Sequence, residues 1–144
     1  MRQKKSHRKS VVAAISLALV AGALVVGSPA QAHDTCGGDA NGPYVAGSNV
    51  EGRASYICQS QHDRLRVTGC IQKKVSGVWD EKACTTNDTG TNANQSIVNT
   101  RPNFSCSSGE WRTVSKYGAA WNNAGQLQHE QNLNEISPVI NISC

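Results

Sequence analysis

Six cysteines constrain the fold of this chain more than any other feature of its sequence. All of them lie beyond residue 35, at Cys36, Cys58, Cys70, Cys84, Cys106 and Cys144. No pair has the close C-x-x-C spacing that zinc and iron–sulfur sites favour, so metal binding by thiolates is the minor alternative. An even number of cysteines in an exported chain predicts three disulfides.

Residues 1–32 have the composition of a secretory signal peptide. Five cations without an acid open the chain, a 17-residue apolar run from Val11 to Gly27 follows, and Ala30-Gln31-Ala32 forms an A-x-A cleavage site. A membrane anchor is the alternative, but the run is at the short end for a membrane span. The sequence therefore predicts secretion to the extracellular space, with residues 33–144 as the single mature domain.

Cleavage of this leader changes the charge of the protein. The whole chain has a net charge of +4, but only nine of its 14 cations lie in residues 33–144, together with all ten acids, so the mature net charge is −1. The sequence pI of about 8.8 therefore reflects mainly the leader. Nucleic-acid binding requires a surplus of cations on the folded domain, so no nucleic-acid partner is predicted.

A β-hairpin is the best-defined structural element. In RLRVTGCIQKKV (64–75) small and apolar residues alternate with polar ones, which is the period of a half-buried strand, and VWDEKACT (78–85) follows as its partner. A three-residue loop centred on Gly77 creates two opposite-charge pairs, an aliphatic–aromatic pair and a cysteine pair: Lys74–Asp80, Lys73–Glu81, Val75–Trp79 and Cys70–Cys84. A two-residue loop loses most of them. We therefore predict a Cys70–Cys84 disulfide on the polar face of the strand.

Short strands separated by polar turns account for most of the remaining residues. Strands are predicted at GRASYICQ (52–59), NQSIVNT (94–100), EWRTVSKY (110–117) and PVINIS (138–143). The amide-rich stretch 121–135 is either a long hairpin loop or a short helix. Because no long segment has the apolar period of a helix, the sequence predicts an all-β fold, a small antiparallel Ig-like β-sandwich stapled by three disulfides.

The four cysteines outside the hairpin can pair in three ways. A meander of neighbouring strands favours Cys36–Cys58, which ties the mature N terminus to the SYIC strand. The same pattern favours Cys106–Cys144, which ties the last residue to the start of the EWRTV strand.

The sequence contains no recognisable catalytic motif. It lacks G-x-S-x-G and HExxH. His62 and Asp63 are adjacent, but neighbours on a strand point to opposite faces, and the surrounding residues are typical of a polar hairpin loop. All six cysteines are expected to be oxidised, which leaves no thiolate nucleophile. We therefore predict a protein that is not an enzyme, with no catalytic residues and no cofactor.

His33 is the residue that suggests a metal. As the first residue of the mature chain it would offer an imidazole and a free α-amino nitrogen, ligands that suit Cu(II). His62 or His129 would have to complete the site, but neither lies in a metal-binding motif. Copper binding at His33 is therefore an outside alternative, and no metal site is predicted.

A secreted sandwich without catalytic groups is expected to bind another secreted protein. Aromatic residues and arginine are enriched at binding hot spots, and four such residues, Trp111, Arg112, Tyr117 and Trp121, cluster in the last third of the chain. They are the candidate protein-binding residues. With only seven aromatic residues in the mature chain, the core is the alternative for Trp111 and the expected place of Trp79.

Protease inhibition is the alternative function, because small secreted inhibitors present a rigid loop braced by disulfides. Arg101 lies five residues before Cys106 and offers a reactive position, although Pro102 after it makes a poor reactive bond.

The A-x-A leader, SYIC, LRVTGCIQKKVSGVW and CSSGEWRT, with a C-terminal half-cystine, together resemble a group of small secreted actinobacterial disulfide-rich β-sandwich proteins. Some members of this group are similar to the adaptor subunit of the umbrella toxin particles of Streptomyces. The resemblance implies a non-enzymatic role, in which the subunit joins a lectin-bearing subunit to the large toxin subunit by protein–protein contact. It assigns no functional residues.

Overall fold

The computed structural model describes residues 35–122 and 126–144, so the predicted signal peptide and His33 lie outside the described residues. The regular elements of the described residues are β-strands: β1 (Cys36–Ala46), β2 (Asn49–His62), β3 (Arg64–Val75), β4 (Val78–Asp88), β5 (Gln95–Thr100), β6 (Asn103–Ser105), β7 (Gly109–Trp121), β8 (Leu127–Gln131), β9 (Glu135–Ile136) and β10 (Ile140–Ile142). No helix in this part of the chain has the length and apolar character that a membrane span requires.

The strands form two antiparallel sheets. In the four-stranded sheet, β2 pairs with β1 along one edge and with β5 and β6 along the other. In the six-stranded sheet the order is β4–β3–β7, and β8, β9 and β10 pair in turn along the remaining edge of β7. The two sheets share buried side chains, so the predicted antiparallel β-sandwich is confirmed.

Two clusters of buried side chains fill the space between the sheets. One surrounds Tyr56. It contains Cys36, Cys58, Leu65, Val67, Val98 and Ala120 from the two sheets and Leu133 from the loop between β8 and β9. The other surrounds Trp111, with Val50, Ile71 and Ile142. Trp111 is fully buried, and its Nε1 donates a hydrogen bond of 2.9 Å to the carbonyl oxygen of Ser107. The largest core side chain thus buries its apolar area without leaving its polar atom unpaired.

All three predicted disulfides are present: Cys36–Cys58, Cys70–Cys84 and Cys106–Cys144. The first two join directly opposed residues of neighbouring strands, and the third ties the β6–β7 connection to the C terminus. Cys70 and Cys84 lie on the outer face of the six-stranded sheet, as predicted. Cys70 is nevertheless fully buried, because Val114 of β7 lies directly opposite it, whereas Cys84 at the edge is exposed.

The turn between β3 and β4 differs from the prediction. It has two loop residues, Ser76 and Gly77, with φ angles of 51° and 80°, whereas three loop residues were expected. Positive φ at both positions is the signature of a turn whose twist matches the flanking strands. Val75 therefore pairs with Val78, and Lys74 lies opposite Trp79 instead of Asp80.

A β-bulge at Lys82 restores the predicted pairing of the cysteines. Gln72 lies opposite Glu81, but the next pair is Ile71 with Ala83, so Lys82 is an extra residue in β4. The bulge shifts the register by one residue, which places Cys84 opposite Cys70. The predicted disulfide was right, but the register at the turn was wrong.

The stretch 121–135 contains β8 and the first residue of β9, so its described residues form neither the long loop nor the helix that the sequence allowed. β8 and β9 pair with β7, and residues 123–125 lie outside the described residues. Two further strands, β1 and β6, were not predicted. β1 contains three glycines and a proline, which weakens its sequence signal, and it is held by pairing with β2 and by the Cys36–Cys58 bond.

Candidate functional site

The outer face of the six-stranded sheet carries a dense set of aromatic and cationic side chains. Leu65, Val67 and Ile71 of β3 point into the core, so the residues between them point outward. Cross-strand neighbours on β4 and β7 complete this surface. We call it the aromatic–cation face, and it consists of Arg64, Arg66, Lys74, Trp79, Arg112, Lys116, Tyr117 and Trp121.

Cation–π contacts organise both ends of the aromatic–cation face. At one end, the guanidinium carbons of Arg64 and Arg66 lie 4.9 Å and 5.1 Å from the ring centroid of Trp121. At the other end, the guanidinium carbon of Arg112 lies 4.3 Å from the ring centroid of Trp79, which Lys74 also contacts at 5.8 Å. Such contacts restrict long side chains that would otherwise be mobile.

The charges on the aromatic–cation face are only partly neutralised. Arg64 makes a bidentate pair with Asp88, with N–O distances of 2.7 Å and 2.6 Å. The hydrogen bond from Arg64 lowers the pKa of Asp88 below its ordinary value, and the same bond raises the pKa of Arg64. Among the described residues, Arg66 and Arg112 form no ion pair. Arg66 lies opposite Asp88 and helps to lower its pKa electrostatically, and Arg112 donates a hydrogen bond to Gln72.

A second β-bulge decides which residues of β7 reach the aromatic–cation face. Gly69 lies opposite Ser115 and Thr68 lies opposite Tyr117, so Lys116 is an extra residue in β7. The bulge inverts the alternation of side chains. Tyr117 therefore points outward and is 47 % exposed, although Ser115 two residues earlier is fully buried.

A groove of about 210 Å³ lies on the aromatic–cation face beside this bulge. Pairing across β3, β7 and β8 places Arg66, Ala119 and Glu130 in one row. The small side chain of Ala119 between two long ones creates the depression. Tyr117 lines it from the neighbouring row. The groove is therefore a consequence of side-chain size along one cross-strand row.

Three of the four predicted protein-binding residues lie on the aromatic–cation face: Arg112, Tyr117 and Trp121. Trp111 is fully buried on the opposite side of β7, so it belongs to the core and not to this surface. The prediction missed Arg64 and Arg66. It was wrong for Trp79, which was expected in the core but lies on this face, opposite Lys74. The alternation of β3 already placed both arginines on its polar face, and pairing that face with β7 is the signal that would have found them.

A polar hairpin loop was expected at His62 and Asp63, but the structure places neither residue in an exposed loop. β2 continues to His62, Asp63 alone links it to β3, and both are 4 % exposed. His62 Nε2 lies 4.0 Å from Cys36 Sγ. Potential ligand atoms of Cys36, Cys58 and His62 lie within 4.8 Å of one another, but the two sulfurs are joined in a disulfide, which leaves no thiolate to bind a metal.

The other sequence candidates lie away from the aromatic–cation face. His33 is outside the described residues, and His129 is half-buried on β8, opposite Ala120. Arg101 lies in the short interruption between β5 and β6, and Pro102 after it is fully buried, with its carbonyl oxygen accepting a 2.9 Å hydrogen bond from Gly52 N. This hydrogen bond holds the interruption against β2, and the Arg101 side chain forms an ion pair of 3.7 Å with Glu51 of the same strand.

Comparison with known proteins gives no match to any protein-family model, curated protein or solved structure. Function must therefore be inferred from the geometry of the described residues.

Proposed function

We propose that the protein is a secreted, non-enzymatic interaction module that binds another secreted protein through the aromatic–cation face. The observation that carries the proposal is the stacking of Arg64 and Arg66 on Trp121, repeated by Arg112 on Trp79. Tryptophan, tyrosine and arginine are the residues enriched at binding hot spots. Because stacking fixes these side chains in advance, association loses less side-chain entropy.

The signal-peptide pattern of residues 1–32 and the three disulfides support secretion. Disulfides form and persist in oxidising compartments. All six cysteines take part in a disulfide.

The edges of the six-stranded sheet are poorly suited to pairing with a strand of a partner protein, which favours binding of the partner on the face of the sheet. β4 carries the bulge at Lys82 and the charges of Asp80 and Glu81 at its edge. The opposite edge is divided into the short strands β8, β9 and β10, with Pro138 between the last two. Bulges, charges, prolines and short strands all discourage edge pairing.

An adaptor subunit of a secreted toxin complex is the specific form of this proposal that the sequence resemblance suggests. An adaptor needs two contact surfaces. We place the second at the end of the sandwich that bears the β1–β2 and β3–β4 turns, where four apolar side chains are 41 % to 68 % exposed: Val45, Val75, Val78 and Phe104. Clustered exposed apolar residues mark protein contacts.

Capture from culture supernatant tests the proposal. The tagged protein is expected to retain one or more secreted proteins, whose direct binding is then measured with purified components. Trp121→Ala and Trp79→Ala are each expected to weaken that binding by about 30-fold, as hot-spot truncations of about 2 kcal/mol do. Arg53→Ala serves as the control, because Arg53 is exposed on the four-stranded sheet.

Thermal unfolding of each variant separates loss of binding from loss of the fold. Recovery of the protein without a partner, or binding that survives both tryptophan substitutions, would contradict the proposal. A stoichiometric complex with a protease, accompanied by inhibition, would favour the inhibitor function instead.

A further inference from the structure

We propose that the groove beside Tyr117 binds one pyranose ring of a neutral sugar. This binding activity goes beyond the contact with a protein partner and does not depend on it. The shape, charge balance and hydrogen-bonding groups of the groove carry the inference.

The size of the groove fits a small ligand. Its volume of about 210 Å³ lies below the range of roughly 300–1,000 Å³ that is typical of sites for drug-sized molecules. Glu130 and the two residues that follow form the far wall, and the chain then enters the core at Leu133, which is 9 % exposed. This inward turn ends the sheet surface beyond β8 and bounds the groove on that side.

The charges around the groove favour a neutral ligand. Arg66 and Glu130 face each other across Ala119, so one positive and one negative group line the same depression. They do not form an ion pair with each other among the described residues. An anion attracted by Arg66 is repelled by Glu130, and a cation attracted by Glu130 is repelled by Arg66, so the two charges cancel and give an ion no net electrostatic gain.

The hydrogen-bonding groups suit a ligand with several hydroxyls. Thr68 and Thr86 lie opposite each other with their hydroxyl oxygens 2.7 Å apart, and either can donate. The side-chain amide of Asn132 offers both donors and an acceptor. A sugar hydroxyl also donates and accepts, so it can satisfy these mixed groups without carrying a charge.

Tyr117 supplies the apolar wall. It is 47 % exposed, and Lys116 Nζ lies 5.7 Å from its ring centroid. A pyranose has a face of C–H groups that packs against an aromatic ring, while its hydroxyls point around the rim. The bulge at Lys116 turns the tyrosine outward, so the same irregularity that shapes β7 completes the site.

Saturation-transfer NMR on the full mature protein tests this inference. The probes are the methyl pyranosides of glucose, galactose, mannose and N-acetylglucosamine, and disaccharides that end in each of them. At least one methyl pyranoside is expected to show saturation transfer to its ring C–H protons, with millimolar affinity that is insensitive to salt. Equal affinity for the matching disaccharide identifies a free sugar as the ligand, and higher affinity identifies the end of a glycan chain.

Matched tyrosine variants locate the site. Tyr117→Ala is expected to weaken binding by about tenfold or more, since it removes the aromatic wall, and Tyr117→Phe is expected to retain most of the affinity. Tyr44→Ala is the control, because Tyr44 is 43 % exposed on the four-stranded sheet. Amide shifts should concentrate at Thr68, Thr86 and Glu130.

Three results would overturn the inference: no transfer to any probe, equal binding by Tyr117→Ala and the parent, or stronger binding of glucuronate than of methyl glucoside. All three measurements use free sugars and contain no protein partner. Failure here therefore leaves the proposed protein contact untouched, and failure to capture a partner leaves the sugar site untouched.

Discussion

Gly118 lies directly against the ring of Tyr56, so that a Cβ on the glycine would fall 2.2 Å from Cδ2 of the tyrosine. This contact joins the two sheets, because Gly118 belongs to β7 and Tyr56 to β2. The contact depends on the bulge at Lys116, which turns Tyr117 outward and Gly118 inward.

Gly118→Ala is expected to lower the free energy of unfolding by about 1–3 kcal/mol, the usual cost of overpacking a core. The ring of Tyr56 is fully buried and cannot move aside. Gly37→Ala is the control, because a Cβ there meets nothing within 4 Å, and its effect should stay within about 0.5 kcal/mol. Urea unfolding measures both, and equal values for the two variants would show that the sheets can separate locally.

Deletion of Lys82 is expected to leave the Cys70–Cys84 disulfide intact. Lys82 is the extra residue of the β4 bulge, so its removal extends the register of the two-residue turn without a break up to Cys84. The cost should be under about 1 kcal/mol, since the deletion removes only the exposed ion pair with Asp80. Non-reducing peptide mapping gives the pairing, and free thiols at these two cysteines would contradict the assigned register.

Asp88 is expected to contribute to the loss of stability in acid. Its pKa in the folded protein is lowered, chiefly by the hydrogen bond from Arg64. The stabilisation is complete above the ordinary pKa of 3.8 and is lost as the pH falls through the lower folded value. Asp88→Asn should therefore flatten the acid limb of the unfolding free energy, measured by urea titration at a series of pH values.

Arg64→Gln should flatten the same limb, because it removes the donor that lowers the pKa of Asp88. The two substitutions together should do no more than Asp88→Asn alone, which removes the titrating group itself. If the acid limb of the double variant is flattened by the sum of the two single effects, Arg64 and Asp88 act through separate interactions and the prediction is wrong.

The disulfides are expected to be reduced in order of exposure. Cys144 is exposed and Cys106 is half-buried, whereas Cys36 and Cys58 are each 5 % exposed. Native-state reduction with dithiothreitol, followed by alkylation and peptide mapping, should therefore open Cys106–Cys144 first and Cys36–Cys58 last. Earlier opening of Cys36–Cys58 would show that the N-terminal strand separates from β2 in the native state.

Replacement of Cys106 and Cys144 by alanine is expected to cost about 4 kcal/mol. These residues are 38 apart in the sequence, and the loss of loop-closure entropy in the unfolded chain grows with that separation. Thermal unfolding of the double variant measures the cost. The Cys70 and Cys84 double variant serves as the comparison, because its disulfide closes a shorter loop of 14 residues.

The most local patterns were the most predictable ones. β3 coincides with the segment predicted from alternation, and its pairing with β4 depends on residues only a few positions away, which is why the Cys70–Cys84 bond could be inferred. β8 and β9 could not be inferred in the same way. Their polar sequence becomes strand because β7 offers them backbone hydrogen bonds, and that partner is not visible in their own composition.

The candidate site also was only partly predictable from the sequence. The sequence by itself placed Arg112, Tyr117 and Trp121 close together in the last third of the chain, and it marked the export signal and the even set of cysteines. It named the core as the alternative for Trp111 but could not decide between the two places, because the bulge at Lys116 determines which residues of β7 share a face.

The tertiary structure alone decided the two bulges. A bulge forms where packing on one side of a strand requires a register that the turn on the other side does not supply. The bulge at Lys82 allows the two-residue turn and the pairing of Cys70 with Cys84 to occur in one hairpin. The bulge at Lys116 allows Tyr117 to point outward while Gly118 packs against Tyr56. Periodicity in the sequence sets the alternation, but contacts between strands and between sheets determine where it is broken.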